Sequence, residues 1–561
     1  MQRPHVKHEI SNYKDDLMQL CFIWVNKFKN LENFGISFSD EFDFQFDIAG
    51  GNLHRINKSP MPHLFGDNIA SITGVLGING AGKTNLLELI CRIVNSSETL
   101  RVEYLVIYRV GGNYYKSTNI KHPISADFYI SGSVSRDEME GMDTVFFSNV
   151  FDKNFIDFGD AIADVSVNNK NNPRTLARNR ESRQSDFVND IEFFQSSEFE
   201  SLGLSVPPRI EIRIEKFINR HNQVSRQDAV VPVLNYLAEI RKKNRDRGKL
   251  YLVRQTIQMG FLKALLERDT SEQRLVSDMV HILEERPNIA FEELIAEFRE
   301  RCSRHNDTIP WSSNLLLHDA LTILLGLESF LKEKHFDIDE ALTGPKYIFT
   351  IDYDPGDSFC YRHLACVIQT LRFGSISWTG VSSGQKAYLN LFSSIWNGVD
   401  SYRFRSEKKR TTLICIDEGD LYLHPEWQLE FVERLIKCLP KLSEGTVQVV
   451  FTTHSPILIS DLPHQCVVVL NKDPEVSVDS SNRDAQRHKT FAANLYDIYQ
   501  YSFGLNHKRS GNLSSNYLRE VFKMLDKKTL SQQDAESLSL ALSVIDDDVV
   551  KFHIHKRIVS E

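Results

Sequence analysis

Gly77-Ile78-Asn79-Gly80-Ala81-Gly82-Lys83-Thr84 fits the pattern G-x-x-x-x-G-K-[ST], and its reading decides the fold of this chain. Ahead of it, Asn68-Ile69-Ala70-Ser71-Ile72-Thr73-Gly74-Val75-Leu76 reads as a buried strand. After it, Asn85-Leu86-Leu87-Glu88-Leu89-Ile90 carries apolar residues at helical spacing. At average composition such a pattern arises by accident in about two chains in a hundred of this length. Glycines let the backbone wrap close enough for successive N–H groups to face phosphate oxygens, and the helix opening near Lys83 adds its dipole to the same anion. Gly77, Asn79, Gly80, Ala81, Gly82, Lys83, Thr84 and Asn85 are therefore the expected triphosphate-binding set. Lys83 bridges the β- and γ-phosphates in this reading, and Thr84 ligates the magnesium that screens their charge.

The 561 residues, 41% hydrophobic and 25% charged, have globular composition and enough length for a large core with one or two further lobes. A formal net charge of -9 excludes a general polycation, so nucleic-acid contact would need local basic patches. No apolar run reaches membrane-spanning length, and the start of the chain, with Lys7, His8, Lys14, Asp15 and Asp16, lacks a signal-peptide core. A soluble cytoplasmic protein without membrane contact is expected. Cys21, Cys91, Cys302, Cys360, Cys366, Cys415, Cys438 and Cys466 are scattered with no C-x-x-C pair, which predicts reduced thiols rather than disulfides or zinc ligands.

Along the chain, Leu17–Val25 and the alternation over Ile36–Phe46 predict a β-rich start. Phe28 and Lys29 lie either near the nucleotide or at an ordinary strand end. Tyr104–Tyr108, Ala126–Ile130 and Thr144–Phe151 read as further strands, and Ser148 and Asn149 either reach the site or cap a turn. Residues 160–207 turn polar, with Lys170, Arg174, Arg178, Arg180 and Arg183, and predict a linker. Arg209–Phe217 reads as a strand, followed by a long helical region over about 228–335. There, Arg241–Lys249 places six cations in nine residues: a solvated helix tip or a phosphate-binding surface.

A second informative cluster follows the strand Lys346–Tyr353. Val381-Ser382-Ser383-Gly384-Gln385-Lys386 opens an amphipathic helix, where free amides, a hydroxyl and the dipole form a second anion-binding device. Thr411-Thr412-Leu413-Ile414-Cys415-Ile416-Asp417-Glu418 then gives a buried strand with two carboxylates at its C-terminal end, where open α/β sheets present ligands. Asp417 fits a magnesium-side partner of Thr84, and Glu418 fits the base that activates attacking water. Thr446–Phe451 is another strand, ending in Thr452-Thr453-His454-Ser455-Pro456. His454 there can hydrogen-bond the γ-phosphate.

In this order the four motifs resemble the ABC-type ATPase heads of the structural-maintenance, recombination-repair and overcoming-lysogenization-defect group. The resemblance implies an α/β ABC-ATPase head that binds ATP and Mg2+, with Ser382 as the signature serine and Ser383 where many members carry glycine. It also implies that Ser382, Ser383, Gly384 and Gln385 contact nucleotide held by a second head, hence a homodimer with ATP sandwiched between heads. Leu421–Gln428 looks like the Leu-His-Pro segment of the repair and phage-exclusion members. Ser148-Asn149 falls where the family has its glutamine loop, without the glutamine. Thr490–Tyr499 with Ser502-Phe503 is similar to ATPases of bacterial anti-phage systems of the Septu and retron-associated types. Those work with a separate HNH nuclease and, in retrons, with a reverse transcriptase and its RNA–DNA hybrid.

The expected organisation is a first half of the head at 1–159, a polar linker at 160–207, a mainly helical insertion at 208–344, the second half at 345–475, and a small helical C-terminal docking segment at 476–561. No nuclease is expected within the chain. About 90 residues follow Leu470, too few for a Toprim domain, and Asp546-Asp547-Asp548 sits in a helical, polar context. Arg483 and His488 match an R-x-x-x-x-H spacing that about one chance occurrence explains. Two alternatives stay open: a recombination-repair clamp acting directly on DNA through its basic runs, and an ATPase whose nucleotide is structural.

Overall fold

The computed structural model describes residues 17–560 except 95–99, 134–141, 151, 153–154, 160, 171–185, 216–230, 244–247, 267–272, 305–320, 327–328, 333, 335, 339–345, 371–373, 404–409, 471–488, 502 and 504–510. The chain divides into two units, Met1–Leu458 with Gln465–Val478, and Ile459–His464 with Asp479–Glu561.

The first unit is a mixed α/β body built on a six-stranded parallel sheet. Its order is Ala163–Asp164, Met142–Ser148, Thr411–Asp417, Val447–Thr452, Ile69–Gly77 and Val467–Leu470. The central strands are near-continuous apolar runs because both faces are covered. The helix Lys83–Val94 buries Leu86, Leu87, Leu89, Ile90, Cys91 and Ile93. It packs in one core with Val75, Leu413, Cys415 and Val450 of the parallel sheet and with Leu20, Ile23, Val25 and Val106 of a second sheet. A helix between two sheets has to be apolar on more than one side.

That second sheet runs Leu31–Ser37, Gln19–Phe28, Tyr104–Val110, Asn113–Thr118, Gly132–Ser133, with its first four strands antiparallel. A bulge between Leu20 and Phe22 breaks the two-residue alternation. Consequently Leu20, Ile23 and Val25 share the helix-side core, whereas Cys21, Phe22 and Trp24 pack on the other side with Phe44 and Leu53. Phe44 and Leu53 belong to a three-stranded sheet of Phe42–Asp47, Asn52–Asn57 and Ser125–Ala126. The strand expected at Ala126–Ile130 is thus limited to its first residue.

Two expected boundaries differ from the structure. Within the expected polar linker, Asp186–Phe194 is a helix with Phe187, Val188, Ile191 and Phe193 buried. The Phe187 and Trp378 rings lie 4.4 Å apart, and Trp378 Nε1 donates to Asp190 Oδ2 at 2.8 Å. Averaged composition concealed the i, i+4 spacing of those apolar side chains. Second, Arg209–Glu215 pairs antiparallel with both Lys346–Asp352 and Gly374–Thr379. A boundary at 344 therefore cuts a sheet. Between these strands come the helices Val231–Lys243, Gly248–Leu266, Gln273–Glu285 and Phe291–Arg304.

The second unit contains the helices Leu495–Tyr501, Asn512–Leu525, Gln532–Val544 and Asp548–Val559, and the last three enclose Val521, Leu538, Ala541, Ile545 and Ile554. The final helix lies in the segment expected to be helical. Its N-cap is Asp547, whose side chain accepts from Val550 N–H, so the acidic run in its helical, polar context is the helix start. All eight cysteines are free thiols, six of them buried. Among the described residues no helix is long and apolar enough to cross a membrane. Arg174, Arg178, Arg180, Arg183, Arg245, Arg247, Arg483 and His488 lie outside the described residues.

Candidate nucleotide-binding site

Because the strands of the central sheet are parallel, their C-terminal ends gather the loops that follow them. The first such loop is 77–84. Gly80 and Gly82 sit in the left-handed region, at φ 78° and 99°. A Cβ on Gly82 would come within 2.5 Å of Asn30 Nδ2, and one on Gly77 within 3.0 Å of the Leu470 carbonyl oxygen. Asn30, in the turn between the first two strands, supports the loop: its Nδ2 donates to Ala81 O at 3.1 Å and its Oδ1 accepts from Asn85 Nδ2 at 2.7 Å. Lys29 pairs with Glu88 on the helix that follows and donates to Asn85 Oδ1 at 3.4 Å. Its ammonium thus steadies the loop helix.

Lys83 is buried, and its Nζ donates to Gly77 O at 2.9 Å. Burial pulls its pKa down against the opposing charges of Glu418, Asp417 and Asp420. One residue on, Thr84 Oγ1 donates to the Asp417 carboxylate, at 3.0 Å to Oδ2 and 3.3 Å to Oδ1. Asp417 is buried and collects two further hydroxyls, from Thr452 at 2.7 Å and Ser148 at 3.3 Å. Burial raises its pKa; the hydrogen bonds from Thr452, Thr84 and Ser148 work the other way.

The Thr452 hydroxyl has a second task, accepting the Glu418 N–H at 3.0 Å. Glu418 itself has φ 49°, an uncommon conformation for a non-glycine residue that turns the chain sharply at the strand end. Its Oε1 lies 3.5 Å from His454 Nε2. Burial first, and then the Lys83 charge, hold the His454 pKa below its ordinary value, which favours the neutral imidazole. Asp420, just after Glu418-Gly419, is pushed up to about 6 by burial, with the Thr453 hydroxyl and Lys83 opposing.

The structure thus brings Lys83, Thr84, Asp417, Glu418 and His454 to one place, with the loop glycines beside them. Ser382–Gln385 form a separate helix start. Ser382 Oγ accepts from Gln385 N–H at 3.2 Å, and Gln385 Oε1 accepts from Ser382 N–H at 2.9 Å, a reciprocal capping box. Ser382 and Ser383 are exposed, while Gly384 is buried against the Trp427 ring. Asn149 lies between these parts. Its N–H donates to Asp417 O at 3.4 Å, its Nδ2 to Leu421 O at 3.3 Å, and its Oδ1 accepts from Asn390 Nδ2, on the helix that Ser382 caps, at 3.5 Å.

Sequence reading passed over Asn30, Thr452 and Asp420. Thr452 stood in plain view two residues before His454, but a threonine at a strand end carries no signal of its own. The oxygen pair of Thr84 and Asp417 suits magnesium, which takes one or two protein oxygens and fills its shell with phosphate and water. Among the described residues no cluster of three or more His, Cys, Asp or Glu offers an all-protein metal cage.

A protein-family model described as "AAA domain, putative AbiEii toxin, Type IV TA system" matches residues 72–460. Among curated proteins, the chain is 25% identical over 178 residues to the Septu protein PtuA of Bacillus thuringiensis, covering 31% of this chain and 42% of that protein. It is 26% identical over 192 residues to the retron Ec83 probable ATPase of Escherichia coli, a third of each chain. It is also 28% identical over 99 residues to the retron Vc95 probable ATPase of Vibrio cholerae serotype O1 biovar El Tor, covering 17% of this chain and 18% of that protein. The matched stretches span less than half the length of these relatives.

Proposed function

This chain belongs to the AAA-domain family described as a putative AbiEii toxin of a Type IV TA system, and from that premise we propose that it binds and hydrolyses ATP as a dimeric ABC-type ATPase. One observation carries the reading: the Thr84 hydroxyl on the Asp417 carboxylate at 3.0 Å, joining two motifs far apart in sequence beside a second carboxylate. The loop amides and Lys83 would hold the β- and γ-phosphates. Thr84 and Asp417 would hold a magnesium ion, which screens the triphosphate charge when bound. Glu418 would take the proton of the attacking water, and the neutral His454 would orient the γ-phosphate.

The exposed Ser382 turn would meet nucleotide on a second head, so that ATP holds two heads together and hydrolysis releases them. In this reading both ends of the chain build the head, the helices over 231–304 form an inserted lobe, and the C-terminal helices form a small docking tail. The Septu and retron names of the relatives support a place in bacterial anti-phage defence. There the ATPase would act in the cytoplasm as sensor and regulator of a separate HNH-type nuclease, and in a retron arrangement also of a reverse transcriptase with its RNA–DNA hybrid.

Turnover and nucleotide binding of the purified chain test this reading. Lys83→Ala should weaken ATP binding about tenfold or more. Glu418→Gln should keep binding and lower turnover about 100-fold, equivalent to about 2.7 kcal/mol of barrier. Wild-type turnover in Glu418→Gln would refute hydrolysis through this carboxylate. Recovery of an HNH protein on affinity purification from the native gene neighbourhood tests the regulatory part; ATPase alone with DNA-stimulated turnover would overturn it.

A further inference from the structure

Both of the last two helices of the second unit carry exposed apolar side chains, and on the final one these line the face turned away from the shared core. In Gln532–Val544 the core side chains are Leu538 and Ala541, yet Leu540 and Val544 are 68% and 69% exposed. In Asp548–Val559 the core side chain is Ile554, yet Val549, Phe552 and Val559 are 66%, 64% and 71% exposed. At about 100° per residue, Val549, Phe552, Lys556 and Val559 lie opposite Ile554 on the final helix, whereas the positions opposite the core on the preceding helix, Gln532, Glu536 and Ser543, are polar, with Leu540 and Val544 to one side. The steps of three, four and three along the final helix are the spacing of a seam that packs against another helix. Single exposed apolar residues are ordinary, but three on one outward helix face form a stripe that marks an interaction surface.

The charges say what fits it. The final helix begins in Asp546-Asp547-Asp548 and ends in Lys556-Arg557, with Lys556 on the stripe itself. A face that is acidic at one end and basic at the other complements its own copy when the two lie antiparallel. We propose that a second copy of this chain covers this face, the two Asp548–Val559 helices lying antiparallel so that the acidic start of each meets Lys556 of the other. Such a contact is isologous and self-limiting. It needs no nucleotide and stands apart from the ATPase reading.

Light scattering and sedimentation of the full chain without nucleotide read the association directly. Wild type and Lys83→Ala should both form dimers, which separates this contact from any ATP-held one. Phe552→Glu should raise the dimer Kd at least about tenfold, as should Val549→Glu, a second outward position that keeps the test open if one variant misfolds. Asp548→Lys and Lys556→Glu should each weaken association, and the two together should restore it, since each helix end then meets its complement again. Monomeric wild type, unchanged dimers in both apolar variants, or failure of the double reversal to restore association would overturn the proposal. So would crosslinks from position 552 that reach the same chain or an unrelated protein instead of the same helix of a second copy.

Discussion

At Thr452 one hydroxyl fixes two carboxylate residues, donating to Asp417 Oδ1 at 2.7 Å and accepting from the Glu418 backbone at 3.0 Å. Thr452→Val removes both while keeping the shape. A buried hydrogen bond to a charged group contributes about 1.5–3 kcal/mol. Steady-state turnover should therefore fall about 10- to 100-fold with the apparent ATP affinity little changed, and Thr452→Ser should restore most of it. Asp420 gives a pH signature. Its carboxyl is raised from an ordinary 3.8 to about 6, so between those values the folded chain binds the extra proton. That contribution to stability is fully present below pH 3.8 and is lost as pH rises through 6. Asp420→Asn, which mimics the protonated form, should melt higher than wild type at pH 8 and equally at pH 4 in thermal scans without nucleotide. Among these residues, Lys83, Thr84, Asp417 and Glu418 were legible because each belongs to a local pattern with its own chemistry. Thr452 and Asn30 were not, because their work is done on partners brought in from other parts of the chain.

The helix Ser383–Arg403 shows what one element can separate. Ser382 both caps it and, in the proposed dimer, faces nucleotide on the opposite head. Ser382→Ala should cost about 1 kcal/mol through the lost cap, read as a lowered melting temperature. Ser382→Asp keeps a good cap but carries negative charge toward phosphate. It should therefore melt like wild type and fail to form the ATP-dependent dimer at low protein concentration. Elements were well legible where periodicity and punctuation agreed, as in the strand, loop and helix over 69–94. One was missed where composition misled: the polar surroundings of Asp186–Phe194 conceal a helix. No local pattern could announce that Arg209–Glu215 would lie between two strands from beyond residue 345.

Over the whole molecule, chain order and spatial order disagree. Ile69–Gly77 lies between Val447–Thr452 and Val467–Leu470, so the strand that carries the phosphate loop has no parallel neighbour until the C-terminal third arrives. A chain truncated before Thr411 should therefore fail to form the sheet, giving rapid limited proteolysis across 69–94 rather than a protected fragment. The motifs made the α/β body legible from the sequence; the strand directions and the interleaving, which depend on long-range pairing, were not. Asn149 shows what the interleaving produces. It ties the end of one central strand to the turn beyond the two carboxylates and to the helix headed by Ser382. In the proposed dimer, a pull on that helix by the opposing head would reach the carboxylate turn through these three hydrogen bonds. In that proposed cycle the grip of one head on the other would set the clock of hydrolysis.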